Sequence, residues 1–375
     1  MRIEIRQAFL PEYLRYWTQL TDLHRQFTRQ LEQQSRIGSP EKLALAVREV
    51  SDIYNRLLHR PASGRRDLAC ARLQFFLPTD LPKVWLPLAE LLPHMELDKR
   101  QELSVLDLGA GAGTVTAGLV FLLQQMGFAG TVNVTQVEPD SVVGNLASQT
   151  MSALRQVTSV KVRERMLHED VDRFLKRPVE GRFDLVIMLD VLTEMYDGAC
   201  YAAEVTRLAQ QLLSQQVKRT GYLVFIEPAL KQVSRLLSEA GGKLGAVAPV
   251  VAPCPTGGQC PALEKPGGFC FHSISCPLSP LVQSVSARSQ LARHEVNFSY
   301  LTLSPRAAVL PWPEVEQGLE LGRVVSFPRR GKKGFHYHVC TKQGLQVAWV
   351  PRLLADGEIR GGRLKLGTLV ALAIP

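Results

Sequence analysis

Between residues 102 and 243 the chain alternates short apolar runs with helical segments, and this limits the possible folds more than any other feature of its 375 residues. The apolar runs are LSVLDL, TVNVTQV, SVKVRERM, FDLVIML and GYLVFIEP; segments such as TVTAGLVFLLQQMG, SVVGNLASQTMSALRQV and CYAAEVTRLAQQLLSQQ carry helical periodicity. Strand, helix and strand in this order lead to a parallel sheet covered by helices. The runs are apolar throughout rather than alternating, as expected of strands buried on both faces. An α/β fold is therefore expected over residues 99–305.

The first strand runs into VLDLGAGAGT, residues 105–114. Gly109, Gly111 and Gly113 permit a tight turn and a close approach of the backbone to a ligand. A dinucleotide fingerprint requires G-x-G-x-x-G, but position 114 is threonine. The spacing D-x-G-x-G-x-G, led by Asp107, resembles that of class I S-adenosylmethionine-dependent methyltransferases. The resemblance implies a Rossmann-like sheet with Asp107 facing the ammonium group of the cofactor. It also implies that Glu138, in TQVEPD, accepts the ribose hydroxyls, and that Asp170 or its neighbour Glu169 lies near the adenine. No catalytic residue is identifiable. The segment MLDVLTEM lacks the [N/D]-P-P-[F/Y] of amine methylation, and Asp190, Glu194 and Glu227 serve equally well as helix-start or structural carboxylates.

The flanks differ from this core. YLRYWTQLTDLHRQFTRQLEQQ and SPEKLALAVREVSDIYNRLL have apolar residues three and four apart, so residues 1–98 read as a helical domain. Residues 306–375 are rich in glycine, proline and basic residues, with strand-like RVVSF, FHYHVCT, LQVAWV and TLVALAI; a small β domain is expected there.

Four of the seven cysteines, Cys254, Cys260, Cys270 and Cys276, fall within the proline- and glycine-rich stretch 251–276. In a reducing compartment such clustering points to a metal centre before disulfides. Structural zinc sites favour C-x₂₋₄-C knuckles, whereas the gaps here are five, nine and five residues. Iron–sulfur clusters accept wider spacing. VAPCPTGG also approximates the nucleophile loop of cytosine-5 methyltransferases, with Cys254 as the attacking thiolate; that loop, however, begins with Asp and follows an earlier strand, and position 251 is valine.

The ordered set IEP (226–228), APCPTGGQCP (252–261), FCFH (269–272), FSYL (298–301) and VCTKQG (339–344), behind the glycine loop, resembles a methyltransferase-like family of small-ribosomal-subunit assembly factors. The similarity spans roughly residues 60–350. It implies a [4Fe–4S] cluster, bound S-adenosylmethionine and association with small-subunit rRNA. Carried over by position, the cluster ligands are Cys254, Cys260, Cys270 and Cys340, whereas proximity in the chain alone would choose Cys276 in place of Cys340. His272 then stands beside the third ligand.

Charge is distributed unevenly. From Gly322 to Pro375 ten lysines and arginines face only Asp356 and Glu358, which accounts for eight of the nine net positive charges. A charge excess confined to one end suggests a polyanion-facing surface. In FPRRGKKGFHYH, Arg329, Arg330, Lys332 and Lys333 would contact phosphates while Phe335 and Tyr337 stack on unpaired bases. This basic end disfavours a small-molecule methyltransferase, and whether the chain methylates RNA or only binds it stays open. No apolar run approaches the roughly 20 residues of a membrane span, and the opening MRIEIRQAFL carries charges where a signal core would be apolar. A cytoplasmic protein, monomeric when free and without membrane association, is expected.

Overall fold

The chain opens with a strand, β1 (Ile3–Phe9), whose partners lie at the far end of the sequence. The computed structural model describes residues 3–9, 11–34, 39–55, 64–178, 180–196, 198–246, 248–257, 259–306, 312–332, 334–351 and 364–373. A helical layer follows: α1 (Trp17–Gln34), α2 (Pro40–Asn55), α3 (Arg66–Ala71), a π-helical turn at Arg72–Phe76, α4 (Leu77–Asp80) and α5 (Pro82–Leu91).

The α/β part comprises β2 (Glu102–Leu108), α6 (Thr114–Gln125), β3 (Thr131–Val137), α7 (Ser141–Val157), β4 (Lys161–Leu167), α8 (Val171–Leu175), β5 (Phe183–Leu189), α9 (Leu192–Met195), α10 (Tyr201–Gln215), β6 (Val217–Pro228), α11 (Lys231–Leu244), β7 (Val250–Ala252), β8 (His272–Ser275), α12 (Pro280–Ser289) and β9 (Glu295–Leu303). The sheet order is β4-β3-β2-β5-β6-β9-β7, with β8 paired to β9. Strands β2 to β6 are mutually parallel, and β9 enters antiparallel beside β6. This is the class I methyltransferase topology. Strand order reverses between β2 and β5, so a ligand crevice opens at their carboxyl ends. The central strands are buried as their apolar sequences require, but β4, KVRERML, is a largely exposed edge strand.

The last part contains β10 (Leu319–Val324), β11 (Arg329–Gly331), β12 (Gly334–Thr341), β13 (Gly344–Pro351) and β14 (Leu369–Ala373). β10 pairs with both β12 and β14, β14 with β1, β1 with β13, and β13 with β12. Five strands thus close into a barrel around Ile5, Val324, Tyr337, Val339, Ala348, Val350, Val370 and Leu372.

The expectation that residues 1–98 form a helical domain needs correction in two respects. Residues 3–9 are a barrel strand, which fills the gap between β13 and β14 that the C-terminal segment leaves open. The helices do not stand apart either: Leu20, Phe27 and Trp85 pack in one cluster with Leu103 and Phe121, the Phe27 and Phe121 rings meeting edge to face at 5.5 Å, while Leu43, Val47 and Phe75 form a second cluster with Val282 and Val285 of α12. Among the described residues, no helix is long and apolar enough to cross a membrane.

Candidate cofactor cleft and cysteine pocket

The turn after β2 is built by its glycines. Gly109, Gly111 and Gly113 have φ of 74°, 54° and 93°, a region that other residues enter only with strain. A Cβ on Gly109 would sit 2.3 Å from Val191 Cγ2, whereas one on Gly111 would meet nothing within 4 Å. The first glycine therefore serves packing, and the second faces open space.

Asp107 is fully buried on β2; its carboxylate oxygens make no hydrogen bond of good geometry, although the Gln136 and Thr116 side chains lie close enough to favour its charged form. Burial pushes its carboxyl up to about 7, and the nearby Glu138 carboxylate acts in the same direction. Glu138, just beyond β3, is spent on the backbone: its two oxygens accept from Gly111 N and Asp140 N, each at 2.9 Å. Burial raises its pKa as well. Asp170 caps α8, accepting from Arg173 N at 2.7 Å. Glu169 is buried, with a carboxylate oxygen 2.9 Å from Arg177 and 3.7 Å from Arg173. Both expected residues after β4 are thus engaged in their own loop and helix.

The helical layer reaches over the same strand ends. Lys83 of α5 lies 2.7 Å from Asp190 and 3.0 Å from Asp80, and Arg293 lies 3.4 Å from Asp80. Asp190 has φ 57° and follows β5 directly. Glu227, at the end of β6, accepts from the backbone amides of Val191, Leu192 and Thr193 at 3.0, 2.9 and 3.3 Å, and so caps the start of α9. Burial raises Glu227 to about 8 and Glu194 to about 7. Arg72 stands among Tyr54, Glu138 and Glu194, 4.0 Å from Asp140. Sequence reasoning missed Lys83 and Arg72, because both sit in helical segments with no motif.

The second feature lies on the barrel side of the sheet. Cys254, Cys260, Cys270 and Cys340 line one cavity of about 30 Å³, together with Pro253, His272 and Arg323. Cys254 follows β7, Cys270 precedes β8, and Cys340 comes from β12 of the barrel. Burial pushes the thiols of Cys254 and Cys270 well above the ordinary range and that of Cys340 up to about 12; the neighbouring thiols add to each shift. Cys276 points elsewhere. Its Sγ is 3.7 Å from the Pro78 carbonyl, near Asp80 and Arg293. Among the described residues, no three His, Cys, Asp or Glu side chains stand at the spacing that holds a metal ion.

Arg323 contributes a fully buried cation to the wall of this cavity. His272, also buried, lies 4.8 Å from the Tyr300 ring, and a Cβ on Gly367 would meet its Nδ1 at 2.9 Å. The barrel backbone thus rests directly on the cysteine loop.

Of the basic residues in FPRRGKKGFHYH, Arg329, Arg330 and Lys332 are exposed and Lys333 lies outside the described residues. Tyr337, expected to stack on bases, is 1% exposed and belongs to the barrel core. The alternation of FHYHVCT shows which side chains share a face; only the packing of Tyr337 and Val339 around Ala348 shows which face is inside.

The family model described as mitochondrial small ribosomal subunit Rsm22 matches residues 95–351. No curated protein sequence matches the chain. Solved structures similar to it include S-adenosylmethionine-dependent methyltransferases from Thiobacillus denitrificans and Geobacter sulfurreducens, both in complex with S-adenosyl-L-homocysteine. Each is 14% identical with a TM-score of 0.34; the match covers 62% of this chain and 98% and 97% of theirs. A human methyltransferase 10 domain containing protein is 15% identical, with a TM-score of 0.34 over 61% of this chain and 83% of that one.

Proposed function

The chain belongs to the Rsm22 family of the mitochondrial small ribosomal subunit, and on that premise we propose that it is an S-adenosylmethionine-binding, methyltransferase-like assembly factor that carries an iron–sulfur cluster and contacts small-subunit rRNA. The observation carrying this reading is the meeting of Cys340, from the barrel, with Cys254, Cys260 and Cys270 around one cavity. Four thiols from three separate stretches have no packing reason to converge beside a buried guanidinium. As thiolates they would supply the donor set of a [4Fe–4S] cluster, and Arg323 would offset part of their negative charge. The cluster would fasten the barrel to the α/β core. Zinc on the same thiolates is the alternative. Thiol ligands of either kind persist in a reducing compartment, in keeping with the cytoplasmic placement expected from the sequence.

The cleft supports the cofactor. S-adenosylmethionine, when bound, supplies an electrophilic methyl group and carries an ammonium. The buried Asp107 carboxylate lacks a cationic partner, which an ammonium would supply, and Gly111 leaves the turn open for close approach. Catalysis has weaker support. Asp190 is held by Lys83 and Glu227 by three backbone amides, so both carboxylates already have structural tasks. Cys254 stands among three other thiols, which argues against a role as a cytosine-attacking nucleophile.

The test is oxygen-free purification with iron, sulfide and zinc analysis, followed by co-sedimentation with small ribosomal subunits and by transfer of labelled methyl groups to them. Stoichiometric iron and sulfide, subunit binding and no transfer are expected. A colourless, metal-free, fully folded protein would overturn the cluster, and sustained methyl transfer would make the chain an rRNA methyltransferase.

A further inference from the structure

The barrel has a specific strand order. Around the ring it runs β10, β12, β13, β1, β14 and back to β10, and only the β13–β1 pair is parallel. With β1 counted as the fifth strand, the order is that of an OB-type barrel, cut between its fourth and fifth strands so that the fifth comes from the beginning of the chain. In such barrels the face of the second and third strands, with the loop joining the first two, receives oligonucleotides. Here those strands are β12 and β13, and the described part of the loop is 325–332.

The outer face suits that role. Tyr337, Val339, Ala348 and Val350 fill the barrel, so their neighbours along each strand face outward. Register places His336 opposite Trp349 and His338 opposite Val347. Val347 is 57% exposed and Phe327, in the loop, 55%. Further along, Cys340 and Leu345 are paired and belong to the cysteine cavity, so the open part of the face ends there. Arg329 pairs with His336 on the other side, and Arg330 and Lys332 follow it, all three exposed. Phe327 meets Phe271 at 6.1 Å, and Phe271 stacks on Phe269 at 5.5 Å, extending the aromatic strip to the Cys270 loop.

We propose that this face binds single-stranded RNA, with bases stacked on Trp349 and Phe327 and phosphates held by Arg329, Arg330 and Lys332. The proposal rests on the reading that the chain contacts rRNA, and narrows it to an unpaired stretch. Flat aromatic groups on a sheet need bases free of their own stack, which a duplex does not offer. Exposed apolar Val347 and Phe327 among cations fit a partner with both π-faces and negative charge, and the excess charge of this end of the chain is of the complementary sign.

The experiment uses the full chain and fluorescence anisotropy with a labelled single-stranded RNA of about 12 nucleotides, a length within the range that one such barrel covers, and with the same RNA annealed as a duplex. Wild type is expected to prefer the single strand. Trp349→Ala should weaken it about tenfold with little change in salt dependence, whereas the Arg329→Glu/Arg330→Glu double variant should weaken it and flatten the salt slope. Val347→Glu alters only an exposed position; it should weaken binding severalfold at an unchanged melting temperature, so a loss there does not reflect unfolding. Single-strand affinity unchanged in both Trp349→Ala and Val347→Glu, or a duplex bound as tightly as the single strand, overturns the proposal. Subunit co-sedimentation of the same proteins separates the two readings. If it stays intact while those variants hold RNA normally, the face fails and the ribosomal reading stands; if wild type fails to sediment yet loses RNA on Val347→Glu, the ribosomal reading fails and the face stands.

Discussion

The Arg323 Nη1 of barrel strand β10 lies 2.7 Å from Glu90 Oε1 of helix α5, the guanidinium fully buried and the carboxylate mostly so. The Tyr300 hydroxyl donates to the other Glu90 oxygen at 2.7 Å, and Arg323 donates further to the Gly367 carbonyl at 3.0 Å. Its guanidinium also lies 5.0 Å from the Trp312 ring centroid. Residues from β9, β10, the helical layer and the loop before β14 are thereby tied together at one charge. Through Arg323 this network also reaches the wall of the cysteine cavity.

Removing one partner of this pair should cost more than removing both. Glu90→Gln leaves a buried guanidinium without its counter-charge, and a loss of about 3–5 kcal/mol is expected. In the double variant Glu90→Gln/Arg323→Met that charge is gone, so the penalty should fall below the sum of the single losses. Denaturant midpoints for the two single variants, the double and wild type give the coupling. Additive losses would mean that the pair does not hold the barrel to the core.

Asp107 offers a trade between stability and ligand binding. Its carboxyl titrates at about 7 in the fold, against 3.8 for an ordinary aspartate. A folded pKa above the unfolded one means that stability is full below about pH 4 and drains away as pH rises through 7. Asp107→Asn should therefore stabilise the ligand-free protein at pH 8 by on the order of 4 kcal/mol, with the gain vanishing near pH 4. The same variant should bind S-adenosylmethionine at least tenfold more weakly, since the ammonium loses its counter-charge. Thermal melts at the two pH values and calorimetric titration check both halves.

The parts legible in the sequence were those with local causes. The glycine turn follows from the spacing of Gly109, Gly111 and Gly113, because positive φ is a property of the residue itself. The parallel sheet follows from apolar runs alternating with helices. The barrel was only partly legible. β1 alternates weakly over seven residues, and its partners β13 and β14 lie more than 300 residues away, so nothing nearby in the chain distinguishes it from a lead-in to α1. The inward turn of Tyr337 depends on Val339 and Ala348 closing the barrel, and the exposure of Val347 and Phe327 on the same closure. Cys340 and Cys276 illustrate the same limit. Cys276 is nearest the other three in the chain, yet Cys340 shares their cavity because β12 runs past the loop.

These two cysteines should behave differently on substitution. Cys340→Ser should lower iron and sulfide content sharply and loosen the barrel, since it removes a thiol from the cavity wall. Cys276→Ala should retain full metal content and cost about 1 kcal/mol of stability, the cost of a small buried group with one weak contact to the Pro78 carbonyl. Metal analysis beside a thermal melt separates them; full occupancy in Cys340→Ser with loss in Cys276→Ala would reverse the assignment.

His24 sets an acid limit on the helical layer. It is fully enclosed, its Nε2 lies 2.6 Å from the Pro78 carbonyl, and it meets the Trp85 ring edge to face at 6.2 Å. Burial lowers its pKa to about 4. The unfolded chain takes up this proton near pH 6.5, before the folded chain does, so the contribution of His24 is complete above 6.5 and is lost as pH falls towards 4. The loss amounts to about 3 kcal/mol across that window. The buried carboxyls of Asp107, Glu194 and Glu227 titrate the opposite way over an overlapping range, so the raw pH profile mixes both. Subtracting the profile of His24→Met from that of wild type isolates the histidine. The difference should narrow by about 3 kcal/mol between pH 7 and pH 4, because only wild type still has a proton to gain on unfolding; a flat difference would mean that the imidazole is already charged within the fold.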